Sequence, residues 1–183
     1  MQFTLVYHGS LPSQGSRADK QRIRRALHPQ LRALWTQDPL VRFPHFLEDA
    51  PAKGELSIIK RVGPYRLAPV VTEKLALVAD LDLAYLRPEA PGSLITKGGD
   101  IDNRLKTLFD ALRAPKDVNE LDGDQPSPDD DPFFCLLEDD NLITSINIRT
   151  DRLLMAPTPS SHVWLMLHVK VRPLRMMWGN MGL

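Results

Sequence analysis

The chain has a single cysteine in 183 residues, Cys135, so no intrachain disulfide framework can exist. Cys135 follows Phe133-Phe134, which suits a small buried apolar side chain better than a nucleophile. Its five histidines, His8, His28, His45, His162 and His168, show no metal-ligand spacing. No run of about 18 apolar residues is present, and no basic-then-apolar leader opens the chain. The expectation is a cytoplasmic protein that neither is secreted nor spans a membrane. Excess charge of either sign is also lacking: 23 Lys+Arg balance 23 Asp+Glu, a formal net charge of zero. The basic surplus that usually marks a nucleic-acid binder is missing from the total.

The distribution tells a different story. Residues 1–99 hold 14 basic and 9 acidic side chains, a net of +5, and residues 100–151 hold 5 and 14, a net of −9. Residues 152–183 hold 4 basic residues and no acidic one. Acid concentrated in one segment between basic ones is either a solvated acidic loop or a cation site in a basic surround.

Hydrophobic residues make up 43% and charged residues 25%, which excludes fibrous and fully disordered classes. Alternation of Phe3, Leu5 and Tyr7 predicts a strand over Gln2 to Tyr7. A helix follows from Arg17 to Trp35, capped by Ser16 or Asp19, with Ile23, Leu27, Leu31 and Leu34 as its apolar stripe. Pro29 predicts a break near Leu27-His28. Thr36 to Gly54 carries several prolines and reads as irregular. Glu55 to Arg61, the turn Val62-Gly63-Pro64, and Tyr65 to Val71 read as a hairpin. Leu75 to Tyr85 is the longest alternating strand pattern, followed by a loop over Arg87 to Gly99. Leu105, Leu108, Phe109 and Leu112 give a helix over Asn103 to Arg113 with Arg104, Lys106, Thr107 and Asp110 on its exposed face. Lys116 to Pro132 is polar and acidic and reads as a mobile loop. Strands over Leu142 to Arg149 and Val163 to Val171 complete the pattern, joined by the linker Ala156 to Ser161. The segment Arg175 to Met181 is either a frayed end or a partner contact; Trp35, Trp164 and Trp178 suit core or interface positions. The expected fold class is α+β, a mixed, mostly antiparallel sheet with a few helices, in one domain spanning 1–183 with an acidic insertion at about 116–132.

Chemistry concentrates in Asp100-Ile101-Asp102-Asn103-Arg104-Leu105-Lys106. If the chain is extended through Asp100 and Asp102, their side chains share one face. Asp102 then caps the helix, and Lys106 lies one turn in on the same side. A hard divalent cation such as Mg²⁺ takes a few carboxylate oxygens and keeps several waters. An ammonium beside it neutralises a phosphate or developing oxyanion. A second pair, Asp139-Asp140, precedes the next strand, where one of the two can complete a metal site. Taken singly, an Asp-x-Asp before a helix is mostly a cap plus a solvated acid, and Asp-Asp before a strand is mostly turn chemistry.

Taken together, Asp100-Ile-Asp102-Asn103-Arg-Leu-Lys106, then Phe109-Asp110-Ala111-Leu112, then Asp139-Asp140-x-x-Ile143, resemble the signature of RusA-like Holliday-junction resolvases. The resemblance covers residues 100–112 and 138–148 and extends loosely to the Leu75–Tyr85 strand and the N-terminal strand with its Leu11-Pro12-Ser13 loop. It implies a RusA-like fold and a Mg²⁺-dependent endonuclease (Mn²⁺ as a substitute) acting as a homodimer on branched DNA. Carried over by position, Asp100, Asp102 and Asp140 bind the metal and Lys106 is the catalytic lysine. Asn103 orders the helix start, and Asp139 is an additional candidate. The chain departs from the family pattern in the long acidic gap between Leu112 and Asp139 and in an enlarged N-terminal region.

Arg17, Lys20, Arg22, Arg24 and Arg25 make the first helix basic, either as a solvated face or as a surface for DNA phosphates. Two rival readings stand beside the nuclease. Asp-Ile-Asp-Asn superficially resembles the first motif of haloacid-dehalogenase-type phosphatases, but Thr96-Lys97-Gly98-Gly99 replaces the apolar strand that chemistry needs. The other rival is a non-catalytic DNA-binding or adaptor protein on the same fold.

Overall fold

The computed structural model describes residues 1–88, 100–154 and 162–183; of Asp100 only the backbone is described. The loop expected over 87–99 lies outside them from residue 89 onward, as does the whole of the linker expected over 156–161.

Seven strands form among the described residues, several on alternating apolar residues and one on the continuous apolar run Phe133–Leu137. These are β1 (Gln2–Ser10), β2 (Lys60–Val62), β3 (Tyr65–Val71), β4 (Leu77–Arg87), β5 (Phe133–Leu137), β6 (Ile143–Arg152) and β7 (His162–Pro173). Among the described residues there are two α-helices, α1 (Arg17–Leu34) and α2 (Asp100–Leu112). The architecture is α+β, as the sequence led us to expect, but the strands divide between two sheets. One has the order β1-β7-β4-β6 and the other β2-β3-β5. Pairing is antiparallel for β1/β7, β4/β7 and β2/β3, and parallel for β3/β5 and β4/β6. Parallel neighbours require a long crossover, and both crossovers here contain α2. One buried cluster, including Leu5, Leu27, Val70, Leu81, Leu108, Leu136 and Leu167, joins the two sheets and both helices.

Helix α1 starts on a capping box in which the Ser16 hydroxyl accepts from the Asp19 N–H and the Asp19 carboxylate accepts from the Ser16 N–H. The break expected at Pro29 does not occur; the helix is continuous to Leu34. Tertiary contacts on both sides of the proline override it. Ile23, Leu27 and Leu31 are buried, and the His28 Nδ1 accepts from the Phe134 N–H at 2.9 Å while its ring stacks on Phe133. The Gln30 amide bonds both backbone groups of Val6 on the edge strand β1, at 2.9 and 2.7 Å. That amide occupies pairing groups an edge strand would otherwise leave open.

The hairpin forms with a shorter first strand than expected, and Gly63 supplies the left-handed turn residue at φ +53°. The long strand begins at Leu77 rather than Leu75, because Glu73–Leu75 forms a 3₁₀ turn first. The acidic segment 116–132 is not the free, mobile loop expected from its composition. It contains 3₁₀ turns at Val118–Leu121 and Pro128–Asp130 and is tied down by arginines described below. The C-terminal segment is likewise fixed rather than frayed: the buried Asn180 amide donates to Leu75 O and Arg175 O, both at 2.8 Å. Cys135 is buried, and burial pushes its thiol up to about 12, as befits an inert core residue. Among the described residues no helix is long and apolar enough to cross a membrane.

Candidate active site

Helix α2 carries the motif, and it starts earlier than the sequence suggested. Asp100 opens the helix, so Asp102 lies within it rather than at its mouth, and the extended period-two geometry for Asp100 and Asp102 does not apply. The i, i+4 relation survives, and Asp102 and Lys106 are both exposed on one helix face. The apolar stripe is rotated from its expected position. Leu108, Ala111 and Leu112 are buried, and so are Arg104 and Thr107, which were expected on the exposed face.

Those two polar side chains are buried because they fasten α2 to the loop before α1. The Arg104 guanidinium donates to Leu11 O, and the Thr107 hydroxyl accepts from the Gly15 N–H at 3.1 Å. A side chain at position 15 has no room, since a Cβ there would sit 2.2 Å from the Thr107 Cγ2. At the far end, Arg24 of α1 donates to Asp110 O at 2.6 Å and Arg113 O at 3.1 Å. A buried cation on the last carbonyls of a helix satisfies orphan acceptors and suits the dipole. Lys20 pairs with Asp110 at 2.7 Å. Beyond α2, Arg113 bridges to Leu137 and the Ala114 N–H donates to Leu137 O at 2.8 Å. The exit of α2 is thereby zipped to the end of β5, and the residues after β5 return beside the helix.

This closure joins positions far apart in sequence. Asp102, Leu105, Lys106 and Phe109 of α2 and Asp140 from the turn after β5 line one cavity of about 300 Å³. Larger cavities elsewhere, such as one of about 410 Å³ between α1 and Asp122–Asp124, bring no such convergence of the motif residues. Among the described residues, Asp102 and Lys106 take part in no ion pair.

The two aspartates after β5 differ in role. Asp139 caps the 3₁₀ turn Asp140–Leu142: its Oδ1 accepts from the Asn141 N–H at 3.2 Å, and its Oδ2 lies 3.0 Å from the Lys116 Nζ. Both its oxygens are committed. Partial burial works against the ionised form of Asp139, but Lys116 and the Asn141 N–H overcome that and hold its carboxyl well below the usual range. Asp140 shifts the other way, raised by burial and then by the neighbouring Asp139 carboxylate. Asp139 is therefore a structural cap, and Asp140 is the one that faces the cavity. Asn103 is exposed on α2.

Among the described residues no group of three His, Cys, Asp or Glu side chains is placed to hold a metal ion; the Asp100 side chain lies outside them. The donor chemistry of the cavity nonetheless fits a hard cation. Two carboxylates, Asp102 and Asp140, line it beside the Lys106 ammonium, and hard oxygen donors suit such an ion.

The basic first helix is used differently from expectation. Arg24 is buried, held by α2 carbonyls, and cannot reach a phosphate. Arg25 is saturated: it bonds Asp124 at 2.7 and 2.9 Å, Asp130 at 3.0 Å and the Tyr65 hydroxyl at 2.7 Å. Lys20 is paired with Asp110, and Arg22 pairs with Asp19 at 2.8 Å. Of the five, Arg17 is exposed with no ion pair among the described residues. Lys20, Arg24 and Arg25 are thus engaged with the chain's own acids and carbonyls, while Arg17 and Arg22 are exposed. The residues sequence reasoning missed are Arg104, Thr107, Gly15, Arg113 and Lys116. Each acts across a long loop, and none carries a local periodic signal.

Comparison with known proteins adds no relative to this geometry: no protein-family model, curated protein or solved structure matches the chain.

Proposed function

We propose that the chain is a metal-dependent endonuclease that hydrolyses DNA phosphodiesters at junctions or branches, as its resemblance to RusA-like resolvases implies. One observation carries the reading: Asp102, Lys106 and Asp140, brought together from two segments, line a single cavity. Asp102 and Asp140, with Asp100, would hold Mg²⁺ or Mn²⁺. When bound, such an ion neutralises a phosphate and lowers the pKa of an attacking water. Lys106 lies one helical turn from Asp102, where its ammonium offsets charge developing on the phosphate or leaving oxygen. Leu105 and Phe109 supply the apolar part of the cavity wall. The homodimer that the resemblance implies would carry one site per subunit and so nick paired strands of a symmetric junction.

Four of the seven acids of the insertion are neutralised within the fold, while Asp117, Asp122 and Asp129 are exposed. Arg25 neutralises Asp124 and Asp130, Arg113 neutralises Glu120, and Arg66 neutralises Asp131. The adaptor alternative needs a dead site, whereas Asp100, Asp102, Lys106 and Asp140 are all present in the sequence. The direct test is cleavage of a synthetic four-way junction, with linear duplex as control, in Mg²⁺ and then in EDTA. Cleavage of the junction that EDTA abolishes and Asp102→Asn removes is the expected result. Binding without cutting would overturn the nuclease in favour of an adaptor, and turnover of a small phosphate monoester regardless of junction would favour a phosphatase.

A further inference from the structure

The turn carrying Asp140 is bolted to the fold through its main chain. The Glu138 N–H donates to Val71 O at 2.8 Å, and the Glu138 carboxylate accepts from the Glu73 N–H at 3.1 Å and from the Thr72 hydroxyl. On the same side, the Asn141 amide donates to the Glu73 carboxylate at 3.3 Å. These contacts fix where the turn runs, but not which of its two adjacent carboxylates enters the cavity. That choice depends on the Asp139 side chain, and the group that engages its outer oxygen is Lys116, at 3.0 Å. Lys116 is itself fixed relative to α2. Its N–H donates to the Glu120 carboxylate at 3.2 Å, and Arg113, just past the end of α2, grips that carboxylate at 2.8 and 3.0 Å. An unbroken polar chain therefore runs from the end of the motif helix, through the first turn of the acidic insertion, to Asp139.

We propose that Lys116 is a positioning residue of the site, drawing the Asp139 carboxylate out of the cavity so that Asp140 is the one presented from the turn. The proposal rests on the endonuclease reading and gives the start of the acidic insertion a purpose: it is a clamp on the site rather than a DNA-contacting loop. Without Lys116, the Asp139 carboxylate that already bears on Asp140 would lose both its offsetting cation and its anchor, blurring the geometry of the cation site. Outer residues that orient metal-binding groups typically contribute 10–100-fold in affinity or activity.

The test compares wild type with Lys116→Met and Lys116→Arg. In the metal-free protein, Lys116→Met is expected to shift the backbone amide resonances of Asp139–Leu142, with the thermal midpoint held near wild type and Lys116→Arg restoring the spectrum. Mn²⁺ affinity measured by electron paramagnetic resonance is expected to fall about 10-fold in Lys116→Met. On junction DNA, kcat is expected to fall by a similar factor at unchanged KM. A variant combining Lys116→Met with Asp139→Asn is expected to be no worse than Lys116→Met alone, because both act through one carboxylate. Unmoved amides, or unchanged or tighter Mn²⁺ binding in Lys116→Met, would overturn the clamp. A loss confined to KM and sensitive to salt would also overturn it, since that is the signature of a phosphate contact. Wild type that neither binds Mn²⁺ nor cuts would sink the endonuclease reading instead, and the clamp would then be judged on the amide shifts alone.

Discussion

Two charged regions of this molecule, built from the same residue types, are in opposite states. Between α1 and the acidic insertion the part-buried charges are matched: the Arg25 guanidinium is shared among Asp124, Asp130 and Tyr65, and Arg24 is held by carbonyls at the end of α2. Around the cavity, Asp102 and Asp140 face a space whose described cation is Lys106, and Asp140 holds its proton more tightly than an ordinary carboxyl. Matched charge serves stability. A carboxyl raised by burial and a neighbouring acid costs stability, and under the endonuclease proposal a bound cation would offset that cost.

The contrast can be broken from either side. The largest effect is expected at the cavity: Lys106→Met should lower cleavage about 10²–10³-fold, and Asp140→Asn at least about as much. Neither should lower the thermal midpoint, because in Asp140→Asn a raised carboxyl is removed from beside Asp139. A loss of stability in these variants, with activity kept, would erase the distinction. In the matched region the outcome should invert. Arg24→Met strands two helix-end carbonyls and should cost about 3 kcal/mol in urea unfolding, a typical figure for breaking a buried charged contact. Gly15→Ala drives a methyl into Thr107 and should cost about 1–3 kcal/mol by overpacking. Ser16→Ala removes one cap and should cost about 1 kcal/mol.

A pH profile sharpens the same comparison. Burial alone would raise Asp130, but the Ser127 N–H and hydroxyl and then Arg25 outweigh it and hold its carboxyl below the usual value. A depressed folded pKa means that the stabilisation is fully present above the unfolded value of about 3.9. It is lost as pH falls through the lower folded value. Wild type should therefore lose stability below about pH 4, and Asp130→Asn should flatten that acid limb. An unchanged limb would show that the Arg25 network contributes nothing to the folded state.

Much of the framework could be read along the chain. The alternation in Leu77–Arg87, the stripe Ile23-Leu27-Leu31 and the i, i+4 pair Asp102-Lys106 are local patterns, and the structure keeps each of them. The misreadings share a cause. Pro29 was given its local cost without the His28 and Gln30 contacts that hold the helix through it. Arg104 and Thr107 were placed outside because polarity was read without the loop at Leu11–Gly15 that packs on them. The segment 116–132 was read as mobile because its acids were counted without the arginines of α1, some hundred residues away.

Composition and short-range periodicity thus determined the α+β class, the two helices and the motif that places an acid and a lysine on one helix face. These depend on backbone geometry repeating every two or 3.6 residues, which a linear reading can follow. Only the tertiary structure decided which charges cancel and which remain. It closed α2 onto β5 through Arg24, Arg113 and the Ala114–Leu137 bond, turned Asp140 toward Asp102, and tied Arg25 to the acidic insertion. Electrostatic pairing acts through space, so its outcome is set by distances that no spacing along the chain contains.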